Sequence, residues 1–279
     1  MTLVVQGARL ERSTLERLAE LSGARAIDPI DDFACRLPAA RREGKDAAVA
    51  ALCAAAGLDW AWVSEDCRLA DFGLFVTDMD STLIDIECID EIADMQGLKT
   101  EVATITAAAM RGEIDFRTSL TRRVALLEGL PETALAAVYE QRLRLNPGAE
   151  RLLAGLKSAG LRTMLVSGGF TYFTDRLRQR LGFDYAWANR LEIVDGLLTG
   201  RMSGDIVDAQ AKAAYLDAIR ETLALTPAQV ICVGDGANDI PMFRAAGLKV
   251  AWRAKPALRA ESDCCFDHVG LDGILKLFG

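Results

Sequence analysis

The run Asp78-Met79-Asp80-Ser81-Thr82 directly follows Leu74-Phe75-Val76, an apolar stretch that reads as a buried strand. Two carboxylates two residues apart, carried from a strand end into a turn with Ser and Thr, can act on one atom. A second strand-like run, Val230-Ile231-Cys232-Val233, leads into Gly234-Asp235-Gly236-Ala237-Asn238-Asp239 and delivers two more acids at a second strand end. Between them in sequence lie the turn Ser167-Gly168-Gly169 and Lys212. Together these residues describe a metal-assisted phosphoryl-transfer site. Asp78 can attack phosphorus and split one hard displacement into two easier ones. Asp80 can protonate the leaving alkoxide and later deprotonate the attacking water. Mg²⁺ takes hard oxygen ligands, one or two of them carboxylates, and shares phosphate oxygens of the substrate. Asp78, Asp235 and the main-chain carbonyl of Asp80 meet that need, with Asp239 orienting water on the metal. The Ser167 hydroxyl and the N–H groups of the two glycines can hold phosphate oxygens at a helix N-terminus. Lys212 can neutralise charge that shifts during transfer.

Taken singly, each piece has a plainer reading. A DxD pair often serves a turn, SGG is an ordinary helix start, GDG is a common turn, and a helical lysine is usually solvated. It is the set, in this order, that carries the chemistry. The chain has no GxxxxGK[ST] loop, and GDGAND is not GxGxxG, so nucleotide P-loop and dinucleotide readings fail on the residues. The one histidine, His268, lies near the C-terminus and reads as a surface or packing residue, which leaves Ser–His and Cys–His mechanisms without support.

Elements that could position these residues emerge from the pattern. Thr2–Val5, Asp32–Leu37 and Trp60–Val63 read as strands and Ser13–Leu21 and Asp46–Ala56 as helices, a small self-contained α+β domain over residues 1–70. Residues 71–279 form the main domain. After the strand ending at Thr77, apolar residues recur at helical spacing across residues 85–145 (Ile89, Ile92, Ala93; Leu120, Val124, Leu127; Leu135, Val138), an all-helical insertion. Pro131 suits the first turn of its third helix. Asn146-Pro147 predicts the cap and first position of a new helix. Thr163–Val166 is a strand, SGG opens the next helix, and Val194-Asp195-Gly196-Leu197 is a hairpin turn. Helix 209–223, strand 230–233, helix 239–246 and strand 248–252 complete an alternation that calls for a parallel sheet covered on both faces. In such sheets ligands bind at the carboxyl ends of the strands.

The 279 residues include 51% hydrophobic and 26% charged side chains, an ordinary globular balance, with a formal net charge of −8. An acidic surface repels nucleic acid and anionic membrane. No leader is visible at the N-terminus and no apolar run is long enough to span a bilayer, so a cytoplasmic protein is expected. The seven cysteines include no CxxC pair and no zinc spacing, which fits reduced thiols.

DMDST, SGG, the isolated Lys212 and GDGANDIPM resemble, in order, the four motifs of the haloacid dehalogenase superfamily of phosphohydrolases. Glu87, Met110-Arg111-Gly112 and the run Phe116–Val124 are further similar to the phosphoserine phosphatase family within it. The resemblance covers roughly Phe72 to the C-terminus. It implies an α/β fold, a Rossmann-like parallel sheet core with an inserted helical cap, preceded here by the small N-terminal domain. It implies Mg²⁺-dependent hydrolysis of O-phosphoserine, the last step of serine biosynthesis, through an aspartyl-phosphate. Asp78 would be the nucleophile and Asp80 the general acid/base. Asp78, Asp80 and Asp235 would bind Mg²⁺, and Ser167, Gly168 and Lys212 would hold the phosphoryl group. Glu87 would receive the substrate ammonium and Arg123 its carboxylate, which suits the guanidinium fork. Met110 and Phe116 would line the cap, and Asn238 would complete the substrate or phosphate side. Phosphotransfer to another alcohol such as homoserine, or hydrolysis of another small phosphate ester, uses the same core residues. The sequence leaves the oligomeric state open, a homodimer included.

Overall fold

The computed structural model describes residues 1–279, the side chain of Met110 excepted. The N-terminal segment runs β1 (Thr2–Gly7), α1 (Arg12–Ser22), β2 (Asp28–Asp31), β3 (Ala34–Leu37), α2 (Asp46–Ala56) and β4 (Leu58–Val63). The strand expected over 32–37 is β3, two residues shorter, and an unexpected β2 precedes it: the Asp31 carboxylate accepts the Phe33 N–H at 2.9 Å, and this turn folds β2 and β3 into a hairpin. Leu3, Val5, Leu37, Leu58 and Trp62 pack on Leu15, Leu18, Val49 and Cys53 of the two helices. The opposite face of the same sheet sends Val4, Ala61 and Val63 into the main core. The segment is therefore not sealed off from the rest of the chain.

Next come β5 (Leu74–Thr77) and four helices, α3 (Cys88–Met95), α4 (Lys99–Met110), α5 (Phe116–Ala125) and α6 (Thr133–Ala137). Pro131 precedes the last of these helices by two residues and pairs with Leu197 instead of opening it. The chain continues through α7 (Ala149–Ser158), β6 (Arg162–Phe170), α8 (Thr171–Leu181), β7 (Tyr185–Val194), β8 (Leu197–Ser203), α9 (Ala209–Thr222), β9 (Val230–Gly234), α10 (Ile240–Arg244), β10 (Leu248–Trp252), α11 (Pro256–Arg259) and β11 (Cys264–Phe266). Asp195 and Gly196, both at positive φ (51° and 76°), make the β7–β8 turn.

One sheet of eleven strands results, in the order β2-β3-β1-β4-β11-β10-β9-β5-β6-β7-β8. From β11 to β7 the strands are parallel; β8 is antiparallel to β7, and β4 joins antiparallel to β11 through Cys265 and Trp60. The fold is α/β, with the parallel core that the alternation demanded. Leaving β5 the chain builds outward through β6 and β7, then returns to lay β9 on the other side of β5. Such a reversal opens a crevice at the carboxyl ends of the strands. The insertion helices sit over it. Ile89, Ile92, Leu120, Val124, Leu127, Leu135 and Val138, the residues whose spacing announced them, join Met79, Leu83 and Phe170 in one buried cluster.

Two local expectations fail for identifiable reasons. Asn146 does not cap α7. Its amide donates to the carbonyls of Thr82 (2.8 Å) and Ile84 (3.1 Å), and Gly148 at φ 82° begins the helix. A Cβ at Gly148 would meet Asp272, so this position needs glycine for space as well as for its φ. Nor does Ser167-Gly168-Gly169 start a helix. The register between β6 and β7 slips between Val166 and Phe170, so the glycines lie in an irregular strand end and α8 begins at Thr171. Among the described residues, no helix is long and apolar enough to cross a membrane, and all seven cysteines are free.

Candidate active site

Parallel register brings the acids together. Thr77 of β5 lies opposite Val233 of β9, and the Asp78 N–H donates to the Val233 carbonyl at 3.1 Å. Asp78 and Asp235 therefore leave neighbouring strand ends side by side. Carboxylate oxygens of Asp78, Asp235 and Asp239 all lie within 4.8 Å of one another. The turn after β5 is irregular: Asp80 is extended (φ −63°, ψ 135°) and Ser81 takes the left-handed conformation (φ 57°). This bend turns Asp80 away from the three-acid cluster. Its Oδ1 accepts the Cys88 N–H at 3.1 Å, and its Oδ2 lies 3.4 Å from the Ser167 hydroxyl.

Lys212, in the first turn of α9, is 1% exposed. Asp208 caps that helix through the N–H groups of Gln210 and Ala211, which fixes where the lysine leaves it. Its ammonium lies 2.8 Å from Asp78 Oδ2 and 2.9 Å from Asp239 Oδ1. Burial alone would lower the Lys212 pKa, but Asp239 and Asp78 outweigh it and hold the lysine charged. Asp239 also accepts the N–H groups of Asp235 (3.1 Å) and Gly236 (3.2 Å). The Asn238 amide donates to Asp78 Oδ2 at 3.2 Å. Buried carboxylates this close resist joint ionisation. Burial, then the Asp78 charge, pushes Asp239 up to about 7, and the same two causes raise Asp235. Burial and then Glu87 raise Asp80 to about 8.

Oxygen donors alone, crowded and under mutual repulsion, are what a small hard dication relieves. The donor chemistry therefore fits Mg²⁺. The oxygens of Asp239 already meet Lys212 or a backbone N–H, and those of Asp78 meet Lys212, Asn238 and the Met79 N–H, so Asp235, with only the Thr82 hydroxyl at 3.3 Å and Lys255 at 3.5 Å, is the freest ligand.

Opposite the acids, the Gly169 N–H donates to the Ser167 hydroxyl at 2.8 Å, and the Gly168 carbonyl accepts from the Asn189 amide at 2.8 Å. Phe116, at the start of α5 and 38% exposed, stands over Gly168, where a Cβ would approach its ring to 3.1 Å. Glu87 accepts the Ser81 hydroxyl at 2.7 Å. It keeps one side open to solvent, yet the protein packed on its other side desolvates the carboxyl and raises its pKa. Arg123, in the last turn of α5, is partly buried in the field of Asp90, Glu87 and Asp80. The Met110 side chain lies outside what the structure describes.

Thr82, Ser81, Asn189 and Lys255 also belong to the site and were not singled out from sequence. The Thr82 hydroxyl lies 3.3 Å from Asp235 Oδ1, and the Lys255 ammonium lies 3.5 Å from Asp235 Oδ2. Thr82 and Ser81 were visible in the DMDST run, and Lys255 comes just after the end of a predicted strand. Asn189 had no signal, because its role exists only once β6 and β7 pair.

Residues 75–244 match the model of the haloacid dehalogenase-like hydrolase family, and residues 3–48 match a domain of unknown function. Over 217 residues the chain is 54% identical to a phosphoserine phosphatase of Polaromonas sp., covering 76% of this chain and 92% of the relative. A probable phosphoserine phosphatase of Vibrio cholerae, solved unliganded, superposes with a TM-score of 0.86 at 37% identity, covering 99% of this chain and 86% of that one. A HAD family hydrolase of Salmonella enterica serovar Typhi superposes with a TM-score of 0.90 at 31% identity, covering 99% and 97%.

Proposed function

The chain belongs to the haloacid dehalogenase-like hydrolase family, and within it we infer a phosphoserine phosphatase, a phosphoric monoester hydrolase that releases serine and phosphate from O-phosphoserine. The observation that carries the reading is the placement of two groups of charges. A lysine and three acids gather at the strand ends, while Arg123, on insertion helix α5, lies in the field of Asp90, of Glu87 at the start of α3, and of Asp80. Phosphoserine bears a phosphate, an ammonium and a carboxylate, and these residues are the counter-charges for all three.

The Asp78 carboxylate, held at its base by the Met79 N–H (2.7 Å), attacks phosphorus and forms an aspartyl-phosphate. Lys212, Ser167 and the glycine N–H groups hold the non-bridging oxygens, and Asn238 steadies Asp78 from the other side. Asp80, protonated near neutrality by its burial, gives its proton to the departing serine oxygen. Once ionised, it takes a proton from the water that opens the aspartyl-phosphate. Glu87 meets the substrate ammonium, Arg123 meets the carboxylate, and Phe116 closes the apolar wall above the serine carbon. Mg²⁺, held by Asp78, Asp235 and the Asp80 carbonyl with Asp239 behind them, supplies the positive charge that the phosphoryl group requires in an acidic site. Closure of the insertion over the substrate would exclude bulk water from the chemistry.

The test is steady-state turnover of phosphoserine against phosphoglycolate and sugar phosphates in the presence of Mg²⁺. The highest kcat/KM is expected for phosphoserine; a preference for either competitor would overturn the substrate assignment while sparing the core chemistry.

A further inference from the structure

Two sealed polar atoms on the insertion helices α3 and α5 lack partners. The Nε of Arg123 and the Oδ1 of Asp90 are both shut off from water, and neither makes a hydrogen bond among the described residues. Buried donors and acceptors are seldom left unpaired, and each such group calls for an explanation. The two belong to different elements, Arg123 to the last turn of α5 and Asp90 to the first turn of α3, three residues after Glu87. Burial pushes the Arg123 pKa down, and Asp90 opposes that more than Glu87 or Asp80 does. The other sealed carboxylate oxygen on α3, Glu91 Oε2, already has the Arg142 guanidinium at 3.4 Å. Asp90 makes no ion pair among the described residues, and the nearby Arg142 is taken by Glu91 and Asp94.

We propose that Asp90 is a positioning residue for substrate recognition: its Oδ1 accepts the Nε–H of Arg123 and so aims the guanidinium's terminal nitrogens at the substrate carboxylate. This rests on the reading of Arg123 as the carboxylate receptor. A guanidinium is a planar fork, and fixing Nε fixes the plane. With Nε held from behind, the two Nη groups face forward as a bidentate pair. Hydrogen bonds within an active site often close only in the Michaelis complex, and the Asp90–Arg123 bond forms as α5 seats over the substrate. The arrangement also divides labour on α3. Glu87, at its start, faces the ammonium, and Asp90, one residue short of a full turn later, serves the group that reads the carboxylate.

The test compares phosphoserine with phosphoethanolamine, which keeps the ammonium and phosphate but lacks the carboxylate. Asp90→Ala should reduce the preference for phosphoserine roughly tenfold, the scale of one hydrogen bond to a charged group, chiefly through KM. Asp90→Asn, which still offers an oxygen acceptor, should recover most of that preference. Asp90→Ala placed on Arg123→Ala should add nothing, since the two act as a unit. If Arg123→Ala lowers the preference but Asp90→Ala does not, or if the two losses add in full, Asp90 does not position Arg123. If Arg123→Ala itself leaves the preference unchanged, the carboxylate assignment falls and this proposal falls with it.

Discussion

The Lys212 ammonium lies 2.8 Å from Asp78 Oδ2, with both side chains removed from solvent and 2.9 Å separating the same ammonium from Asp239. One buried cation therefore compensates two buried anions on two different strand ends. The site is built under electrostatic load, and its chemistry and its stability are consequently linked.

Lys212→Ala tests that link. Removing one member of a buried pair leaves uncompensated charge, a cost of about 3–5 kcal/mol. The variant should unfold at a visibly lower temperature, and its kcat should fall roughly 10²- to 10³-fold, the usual loss for one transition-state donor. Calorimetry with initial rates checks both; an unchanged Tm together with full activity would show that the lysine serves neither.

The pH dependence of stability has a definite sign. Asp80 at about 8 and Asp239 at about 7 keep protons that an ordinary aspartate, at 3.8, has lost. Between about pH 4 and 8 the folded chain thus binds more protons than the unfolded chain, and stability falls as pH rises. Lys212, whose pKa is also raised, has the same sign, but its effect lies above its ordinary value of 10.5. In EDTA the Tm should drop by several degrees from pH 5.5 to 8. Added Mg²⁺ should restore more at pH 8, where it competes with fewer protons. A Tm in EDTA that is flat or rises over this range would contradict the assignment of these raised carboxyls.

Gly169 is required for space. A Cβ there would stand 2.5 Å from Asp80 Oδ2, 2.9 Å from Met79 Cε and 3.1 Å from the Ser167 hydroxyl. Gly169→Ala should displace the acid and the phosphate cradle together. A loss in kcat of about 100-fold is expected, the scale of an ångström-sized misplacement, with a smaller change in Tm. Near-normal kcat would mean that Asp80 tolerates displacement, which a general acid does not.

The parts of this site that were readable in the sequence are those coded locally. Asp78 and Asp80 sit in one turn after an unmistakable strand, and the Asp235 turn repeats the pattern, so the fold class and the strand-end acids came from spacing alone. Lys212 became meaningful only through company, since nothing about a lysine in α9 says that it is buried. What depended on long-range packing was misread or missed. Asn146 looked like a helix cap because the residue that caps and the residue that ties two distant carbonyls are spelled the same way. Ser167-Gly168-Gly169 looked like a helix start because the slip in pairing against β7 leaves no local mark. Asn189 and Lys255 acquire their roles only when other strands arrive beside them.

The most direct measurement is a rapid acid quench of the enzyme turning over phosphoserine labelled in its phosphoryl group, with peptide mapping of the quenched protein. A protein-bound phosphoryl group should appear and decay at a rate matching turnover, on the peptide that contains Asp78, and it should be absent from Asp78→Asn. Phosphate release in a single turnover with no labelled protein, or label on a peptide without Asp78, would contradict the covalent capture on which the account depends.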